Sequence, residues 1–208
     1  MSIGPGSPLL LASGSPRRRE LLAQVGVPLV VAAVDVDETV LPGEGGDAYL
    51  SRVVDLKLGA ALAARAARPD LAVCAVVLVA DTSVLVDDQI LGKPSSTEDA
   101  RAMLQKLAGR AHRVATRFAV ATSEQDVHAE TVSTTVWFRE LDDEQIARYA
   151  ETGEGIDKAG AYAIQGVGAM LVRAIEGDYP TVVGLPLAAV VTALQRRRWL
   201  GPLPLRAS

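Results

Sequence analysis

The sequence is poor in the residues from which disulfide frameworks and metal cages are built. Cys74 is the only cysteine, and the chain has two histidines, His112 and His128. A single cysteine excludes a disulfide framework within the chain and a thiolate metal cage, and two histidines are too few for a histidine-rich centre. Because Cys74 stands in an apolar run, we expect it to pack in the core rather than to react.

The chain also lacks long apolar runs and an excess of positive charge. No stretch approaches the roughly 18 uninterrupted apolar residues of a membrane span. No basic residue precedes the short apolar run at residues 9–11, so no signal peptide is predicted and we expect a cytoplasmic protein. The net charge of −4 argues against bulk nucleic-acid binding. An anionic ligand must therefore be held by a local basic cluster or through a metal ion.

Hydrophobic residues, by contrast, are abundant enough to form a substantial core. The 208 residues are 49% hydrophobic and 22% charged, which is typical of a globular protein. Short apolar runs alternate with amphipathic stretches, but hairpins interrupt the alternation, and this favours a mixed α/β sheet over a purely parallel one. Strands are predicted at residues 9–12, 28–33, 71–80, 83–86, 89–91, 113–122, 127–139 and 169–175, and helices at residues 16–25, 47–68, 95–108, 142–152 and 185–198. Without a linker or repeat, we predict one domain over residues 1–208, at most two-lobed, with a frayed tail at 201–208.

The segment LLLASGSPRRRELL places three arginines at the start of the first predicted helix. Ser15 is a good N-cap and Pro16 a good first helical residue, so residues 17–19 fall in the first turn. Cations are disfavoured there by roughly 0.3–1 kcal/mol each. Either the arginines form a solvated charge run that tolerates this cost, or they converge with the helix N–H groups on an anion such as phosphate. The segment alone leaves both interpretations open.

Lys57 lies on or beside the apolar stripe of the long predicted helix at residues 47–68. An ammonium group in that position must either extend along its aliphatic stem to solvent or face an anion at the edge of the core. Reaching solvent is the more frequent outcome for a single lysine.

The segment ADTSVLVDDQILGKP combines a carboxylate with a lysine across a predicted hairpin. Asp81 follows the predicted buried strand 71–80 directly, where α/β sheets usually present a binding crevice. A two-residue turn at residues 87–88 would place Thr82 opposite Lys93, with Lys93 within one rung of Asp81. The pair is either a salt bridge at the rim, worth under about 1 kcal/mol, or a base or metal ligand beside a phosphate-binding lysine.

Acidic residues also follow the second predicted strand, in the segment DVDET. Asp35, Asp37 and Glu38 are either turn formers, which is the commoner case, or ligands for Mg²⁺, a hard cation that takes carboxylate and phosphate oxygens.

Small residues surround Tyr162 and Gln165 in the segment IDKAGAYAIQG. They would let the backbone approach a ligand closely, and the Gln165 amide could read the edge of a base. The alternative is an ordinary turn, and this signal alone is weak.

Taken in order, SGSPRR, DVDE, the helical Lys57, ADT…GKP and KAGAYAIQG resemble the Maf family of nucleoside triphosphate pyrophosphatases. The resemblance extends from about residue 9 to residue 187. It implies a mixed, twisted sheet flanked by helices, with two lobes and a central cleft, similar to the inosine-triphosphate pyrophosphatases. It also implies a divalent cation, Mg²⁺ or Mn²⁺, and a homodimer.

The resemblance carries functional roles to particular positions of this chain. The family's phosphate-binding loop is matched by Ser13, Arg17 and Arg18, and its lysines are matched by Lys57 and Lys93. Its metal-associated acidic residue is matched by Glu38, and its proton acceptor by Asp81. Arg17, Thr82 and Gln165 match the positions that separate subfamilies, and ADT and YAIQG resemble the branch that acts on dTTP and UTP.

The implied reaction is hydrolysis between the α- and β-phosphorus atoms, which releases a monophosphate and pyrophosphate. Asp81 would be the general base, and Glu38 with Asp81 would hold the cation. Clearance of modified nucleotides and restraint of septum formation are the implied cellular roles. The alternatives are a specificity for 7-methyl-GTP or another non-standard nucleotide, and a nucleotide-binding regulator of cell division without catalysis.

The chain departs from the family pattern at two places. Pro180 and Thr181 replace the usual serine–asparagine pair before VVGLP. Ala111 and Arg113 flank His112 where threonine and Glu or Gln are common.

Overall fold

The computed structural model describes residues 2–87 and 89–203, which form a mixed sheet flanked by helices. This confirms the predicted fold class. The strands are β1 (Leu9–Leu11), β2 (Leu29–Val31), β3 (Val76–Val86), β4 (Gln89–Leu91), β5 (Ala111–Ser123), β6 (Asp126–Phe138) and β7 (Val172–Glu176). The helices are α1 (Pro16–Gln24), α2 (Gly46–Ala67), α3 (Thr97–Leu107), α4 (Asp143–Glu151), α5 (Tyr179–Val183) and α6 (Leu187–Arg196), with two 3₁₀ turns at Ala159–Ala161 and Gly166–Leu171. Residues 204–208 of the predicted frayed tail lie outside the described residues.

The sheet has the order β2-β1-β3-β5-β6-β7, with β4 added to β3. β1 pairs in parallel with β2 and β3, whereas β3, β5, β6 and β7 are successively antiparallel. The parallel pairing ends at Leu11↔Leu78, but β3 continues to Val86. Asp81 and its neighbours therefore lie beyond the end of β1, where the chain leaves the sheet for α1.

The strand predicted at residues 71–80 is wrong in its limits. Residues 71–73 form a turn after α2, in which Leu71 is buried, so the apolar run reflects burial of a turn as well as of a strand. Asp81 lies within β3 and does not follow it, because the antiparallel ladder with β5 continues from Val77↔Ala121 to Leu85↔Arg113.

The β3–β4 hairpin has the predicted register over the residues it pairs. Val86 lies opposite Gln89, as a two-residue turn requires, although Asp88 lies outside the described residues. The ladder ends at Val84↔Leu91, so Thr82 and Lys93 do not pair as strand residues.

Helix limits follow capping and turn chemistry with small shifts. α1 begins at Pro16 after the N-cap Ser15, as predicted, and Gly26 closes it with φ +73°. α2 begins at Gly46, one residue before the predicted cap Asp47. The Asp47 carboxylate lies in the first turn, where a negative charge interacts favourably with the helix dipole. α5 was not predicted. Among the described residues no helix is long and apolar enough to cross a membrane.

Polar residues in the middle of β3 divide the hydrophobic core on both faces of the sheet. Alternate residues of a strand face opposite sides. On one face Thr82 separates the cluster that contains Ala80 from the one that contains Val84. On the other face Asp81 and Ser83 lie between two further apolar clusters. The molecule thus has apolar cores at both ends of the sheet, with a polar zone between them.

Candidate active site

A cavity of about 600 Å³ opens at this polar zone, a size in the range of small-molecule sites. Its walls come from the β1–α1 connection, the middle of β3, the residues after β4, the segment around the first 3₁₀ turn, and the end of α5. All nine predicted site residues line it: Ser13, Arg17, Arg18, Glu38, Lys57, Asp81, Thr82, Lys93 and Gln165.

The cavity is locally basic in an acidic protein. Five cationic side chains and three carboxylates are among its described lining residues. Asp157 and Lys158 belong to this set and were not predicted, although they stand in the motif IDKAGAYAIQG. A polyanion is therefore the ligand that the charge of the cavity favours.

Lys57 joins two carboxylates at the base of the cavity. Its Nζ lies 2.6 Å from Asp81 Oδ1 and 2.7 Å from Glu38 Oε1. Lys57 and Asp81 are each 8% exposed, so the lysine does not extend to solvent. Of the two interpretations that the sequence left open for Asp81 and Lys93, the salt bridge at the rim is not formed among the described residues. Instead, α2 packs across β3 and brings Lys57 to Asp81.

Arg18 is buried and binds the protein itself. Its guanidinium donates to Gly184 O at 2.7 Å, Ala80 O at 2.8 Å, Ser13 Oγ at 3.1 Å and Thr82 Oγ1 at 3.2 Å. Burial lowers the pKa of Arg18, and the nearby charge of Asp81 opposes that shift. Since these four bonds occupy most of its N–H donors, Arg18 braces the walls of the cavity.

Arg17 differs from Arg18 although it is the next residue. Its side chain is 26% exposed, and NH1 lies 4.0 Å from Asp157 Oδ2. Among the described residues Arg17 donates no side-chain hydrogen bond, so its guanidinium is available to a ligand in the cavity.

Thr82 belongs to a chain of hydrogen bonds that runs from the Arg18 guanidinium through two threonine hydroxyl groups. Thr116 Oγ1 donates to Thr181 O at 2.8 Å and also lies 2.8 Å from Thr82 Oγ1. Because the carbonyl can only accept, the proton shared by the two hydroxyl groups comes from Thr82, whose other acceptor, Gly184 O, lies farther away at 3.4 Å. The hydroxyl of Thr82 therefore holds the wall in place and has no proton left to donate to a nucleobase. Thr116 was missed by sequence reasoning, since its hydroxyl lies in an ordinary alternating strand pattern.

Comparison with known proteins shows the family of this chain. A family model described as Maf-like protein matches residues 8–197. The chain belongs to the Maf family. It is 46% identical over 188 residues to a dTTP/UTP pyrophosphatase of Pseudoalteromonas atlantica, covering 90% of this chain and 96% of that protein. It is 47% identical over 202 residues to one of Myxococcus xanthus, covering 96% of each chain. A solved HAM1 protein from Coxiella burnetii aligns over 91% of this chain and 99% of its own, with 14% identity and a TM-score of 0.48.

Pro180 and Thr181, which depart from the family pattern, lie in α5 of this Maf protein. Asp178 caps the helix by accepting from Thr181 N at 2.9 Å and from Thr181 Oγ1 at 2.7 Å, and Pro180 lies in the first turn. Gly184 ends the helix with φ +127° and turns its carbonyl oxygen to Arg18. The altered pair thus serves the wall that Arg18 and Thr116 hold.

His112 lies in an aromatic cluster behind the cavity. Its Nε2 lies 2.8 Å from the hydroxyl of Tyr162, a residue of the cavity wall, and Phe138 packs edge-on against both rings. Burial lowers the pKa of His112 to about 4, so the ring is neutral at physiological pH. The flanking Arg113 lies outside this cluster and pairs with Asp47 at 3.0 Å.

The carboxylates of the site fit a hard divalent cation that takes part of its coordination from a substrate. Glu38 and Asp81 approach each other through their common partner Lys57. The described residues contain no group of three or more His, Cys, Asp or Glu side chains that could hold a metal alone. Mg²⁺ commonly binds through one or two carboxylates together with phosphate oxygens.

Proposed function

We propose that this Maf protein hydrolyses dTTP and UTP to the nucleoside monophosphate and pyrophosphate. The observation that carries the proposal is the buried carboxylate of Asp81, held by Lys57 in a cavity that also contains Arg17 and Lys93. The names of the relatives, which match almost the full length of this chain, support the same substrates.

The triphosphate is bound in this proposal by cations that donate no side-chain hydrogen bond to the described residues, although Arg17 lies 4.0 Å from Asp157. Arg17, at the start of α1, and the exposed Lys93 are the side chains best placed to contact phosphate oxygens. The first turn of α1 adds the favourable end of the helix dipole. Arg18 acts indirectly, because its hydrogen bonds keep Ser13 and Gly184 in place.

Asp81 is the general base in this proposal. Lys57 holds Oδ1, and among the described residues Oδ2 accepts no hydrogen bond, so Oδ2 takes the proton from the attacking water. The water oxygen forms a bond to the α-phosphorus as the bridging bond to the β-phosphate breaks. Arg17 and Lys93 stabilise the charge that develops on the departing pyrophosphate.

Glu38 and Asp81 would hold a divalent cation, Mg²⁺ or Mn²⁺. When bound, the cation supplies positive charge to the phosphate oxygens. Glu38 suits this role because its side chain is 40% exposed and lines the cavity, where it shares the partner Lys57 with Asp81.

Selection of the nucleobase in this proposal involves Gln165, whose exposed side chain lines the cavity. Its amide can hydrogen-bond a pyrimidine edge, and a purine would be excluded by size and by mismatched donors and acceptors. Thr82 contributes by keeping the wall in position. A homodimer and a cytoplasmic location remain parts of the proposal that the family resemblance suggests.

A substrate panel with detection of released pyrophosphate tests the function. We expect dTTP and UTP to be turned over fastest among dTTP, UTP, CTP, GTP, 7-methyl-GTP and ITP in the presence of Mg²⁺. Fastest turnover of a purine nucleotide would overturn the proposed specificity. Nucleotide binding without any pyrophosphate release would instead indicate a regulator without catalysis.

A further inference from the structure

Glu154, which follows α4, binds the backbone of the segment that carries Gln165. Its Oε1 accepts from Val167 N at 2.9 Å, and its Oε2 accepts from Gly168 N at 2.7 Å. Burial alone would raise the pKa of Glu154, but hydrogen bonds from Tyr149, Gly168 and Val167 outweigh it and lower that pKa. The carboxylate thus remains an acceptor for both amides at neutral pH.

Tyr149 extends the same contact to the other side of Gln165. Its hydroxyl donates to Glu154 Oε2 at 2.9 Å and accepts from Ala163 N at 3.1 Å. The ring is buried in the apolar cluster under α3 and α4, so the hydroxyl has a fixed position. Backbone amides before and after Gln165 are therefore tied to one carboxylate–phenol pair, which we call the Glu154–Tyr149 clamp.

The backbone of residues 166–168 packs closely against the clamp. Gly166 has φ +68°, and a Cβ there would lie 2.1 Å from Glu154 Oε1. A Cβ at Gly168 would lie 2.1 Å from Ala163 O and 2.6 Å from the hydroxyl of Tyr149. Glycine at both positions allows the backbone to close onto the clamp. Gln165 thus has a fixed backbone although its side chain is exposed in the cavity.

We propose that Glu154 and Tyr149 are positioning residues for base selection, acting through the backbone that presents the Gln165 amide. The inference rests on the proposed function, since it assigns base reading to Gln165. Neither clamp residue is among the described residues that line the cavity. Losing the clamp therefore loosens base recognition and leaves the reacting groups in place.

The decisive variant is Glu154→Gln, whose amide cannot accept from two backbone N–H groups and a hydroxyl in the same arrangement. We expect the ratio of kcat/KM for dTTP to that for GTP to fall about tenfold, a loss typical of removing a charged hydrogen-bond acceptor. KM for dTTP should rise while kcat stays within about threefold, since the chemistry is untouched. Tyr149→Phe, which removes one hydroxyl, should shift the ratio in the same direction by less.

Glu144→Gln is the matched control, because it neutralises an exposed carboxylate on α4 that pairs with Arg148. It should leave the ratio unchanged. An unchanged ratio in folded Glu154→Gln would overturn the inference. A fall in kcat with no change in the ratio would also overturn it, since that pattern indicates a structural role alone.

Amide hydrogen exchange separates the inference from the proposed function. The amides of Ala163, Val167 and Gly168 should exchange at least about tenfold faster in Glu154→Gln than in wild type or Glu144→Gln. Unchanged exchange would show that the clamp does not hold the segment. If wild type turned over no dTTP or UTP, the proposed function would fail, and the exchange rates would still decide whether the clamp exists.

Discussion

Lys57 and Asp81 form a buried ion pair across the junction of α2 and β3, with 2.6 Å between Nζ and Oδ1. The same ammonium group contacts Glu38. One lysine thus stabilises the negative charge of the base and of the candidate cation ligand. Replacement of Lys57 leaves the Asp81 carboxylate without its partner in a place from which water is largely excluded, and such losses are costly.

Lys57→Met should therefore reduce both stability and turnover. Removing one member of a buried ion pair costs about 3–5 kcal/mol, and urea denaturation monitored by circular dichroism measures that loss. Lys106→Met removes an exposed lysine and should change the free energy of unfolding by less than about 0.5 kcal/mol. In Lys57→Met combined with Asp81→Asn, part of the lost stability should return, because the orphaned charge is removed. Full additivity of the two single losses would contradict the pairing.

Asp81→Asn should separate nucleotide binding from catalysis. The amide has almost the same shape as the carboxylate but cannot take a proton from water, and general bases contribute roughly 10²–10⁴ in rate. We expect dTTP to bind, as measured by calorimetry, while pyrophosphate release falls by at least about a hundredfold. Near-wild-type turnover would remove Asp81 from the role of base.

Arg18→Lys should destabilise the cavity wall although it conserves the charge. A lysine ammonium group cannot serve the acceptors of Gly184, Ala80 and Thr82 together, because they are arranged for the planar guanidinium. Unsatisfied buried acceptors cost about 1–3 kcal/mol each, so we expect a loss of at least about 2 kcal/mol in thermal or urea unfolding. Arg19→Lys, at an exposed neighbouring position, is the control and should leave stability unchanged.

The sequence predicted the members of the site better than their contacts. Strand and helix patterns placed Asp81, Lys57 and Arg17 on particular elements. The order of the motifs indicated the family, and that resemblance implied that these residues share one site. The partner of Lys57 could not be predicted, since it depends on how α2 packs on β3, which is a long-range property.

Features that depend on backbone acceptors were also missed. Arg18 binds carbonyl oxygens of Ala80 and Gly184, and no side-chain pattern indicates where distant carbonyl groups lie. The short helix α5 escaped prediction because its stability comes from the Asp178 cap and from tertiary contacts rather than from periodicity. The start of β3 was misplaced because a buried turn and a buried strand have the same apolar composition.

His112 should make the protein less stable as the pH falls below about 6.5. Its ordinary pKa is 6.5 and burial lowers it to about 4 in the folded protein, so the unfolded chain takes up a proton that the folded chain resists. Stability from this group is thus complete above pH 6.5 and is lost progressively down to pH 4. At pH 5 the loss amounts to roughly 2 kcal/mol by linkage.

His112→Gln removes the titration and retains a group that can hydrogen-bond the hydroxyl of Tyr162. The free energy of unfolding in urea should therefore fall less between pH 7.5 and pH 5 in His112→Gln than in wild type. Parallel pH profiles for wild type and His112→Gln would mean that His112 is protonated as readily in the folded chain as in the unfolded one.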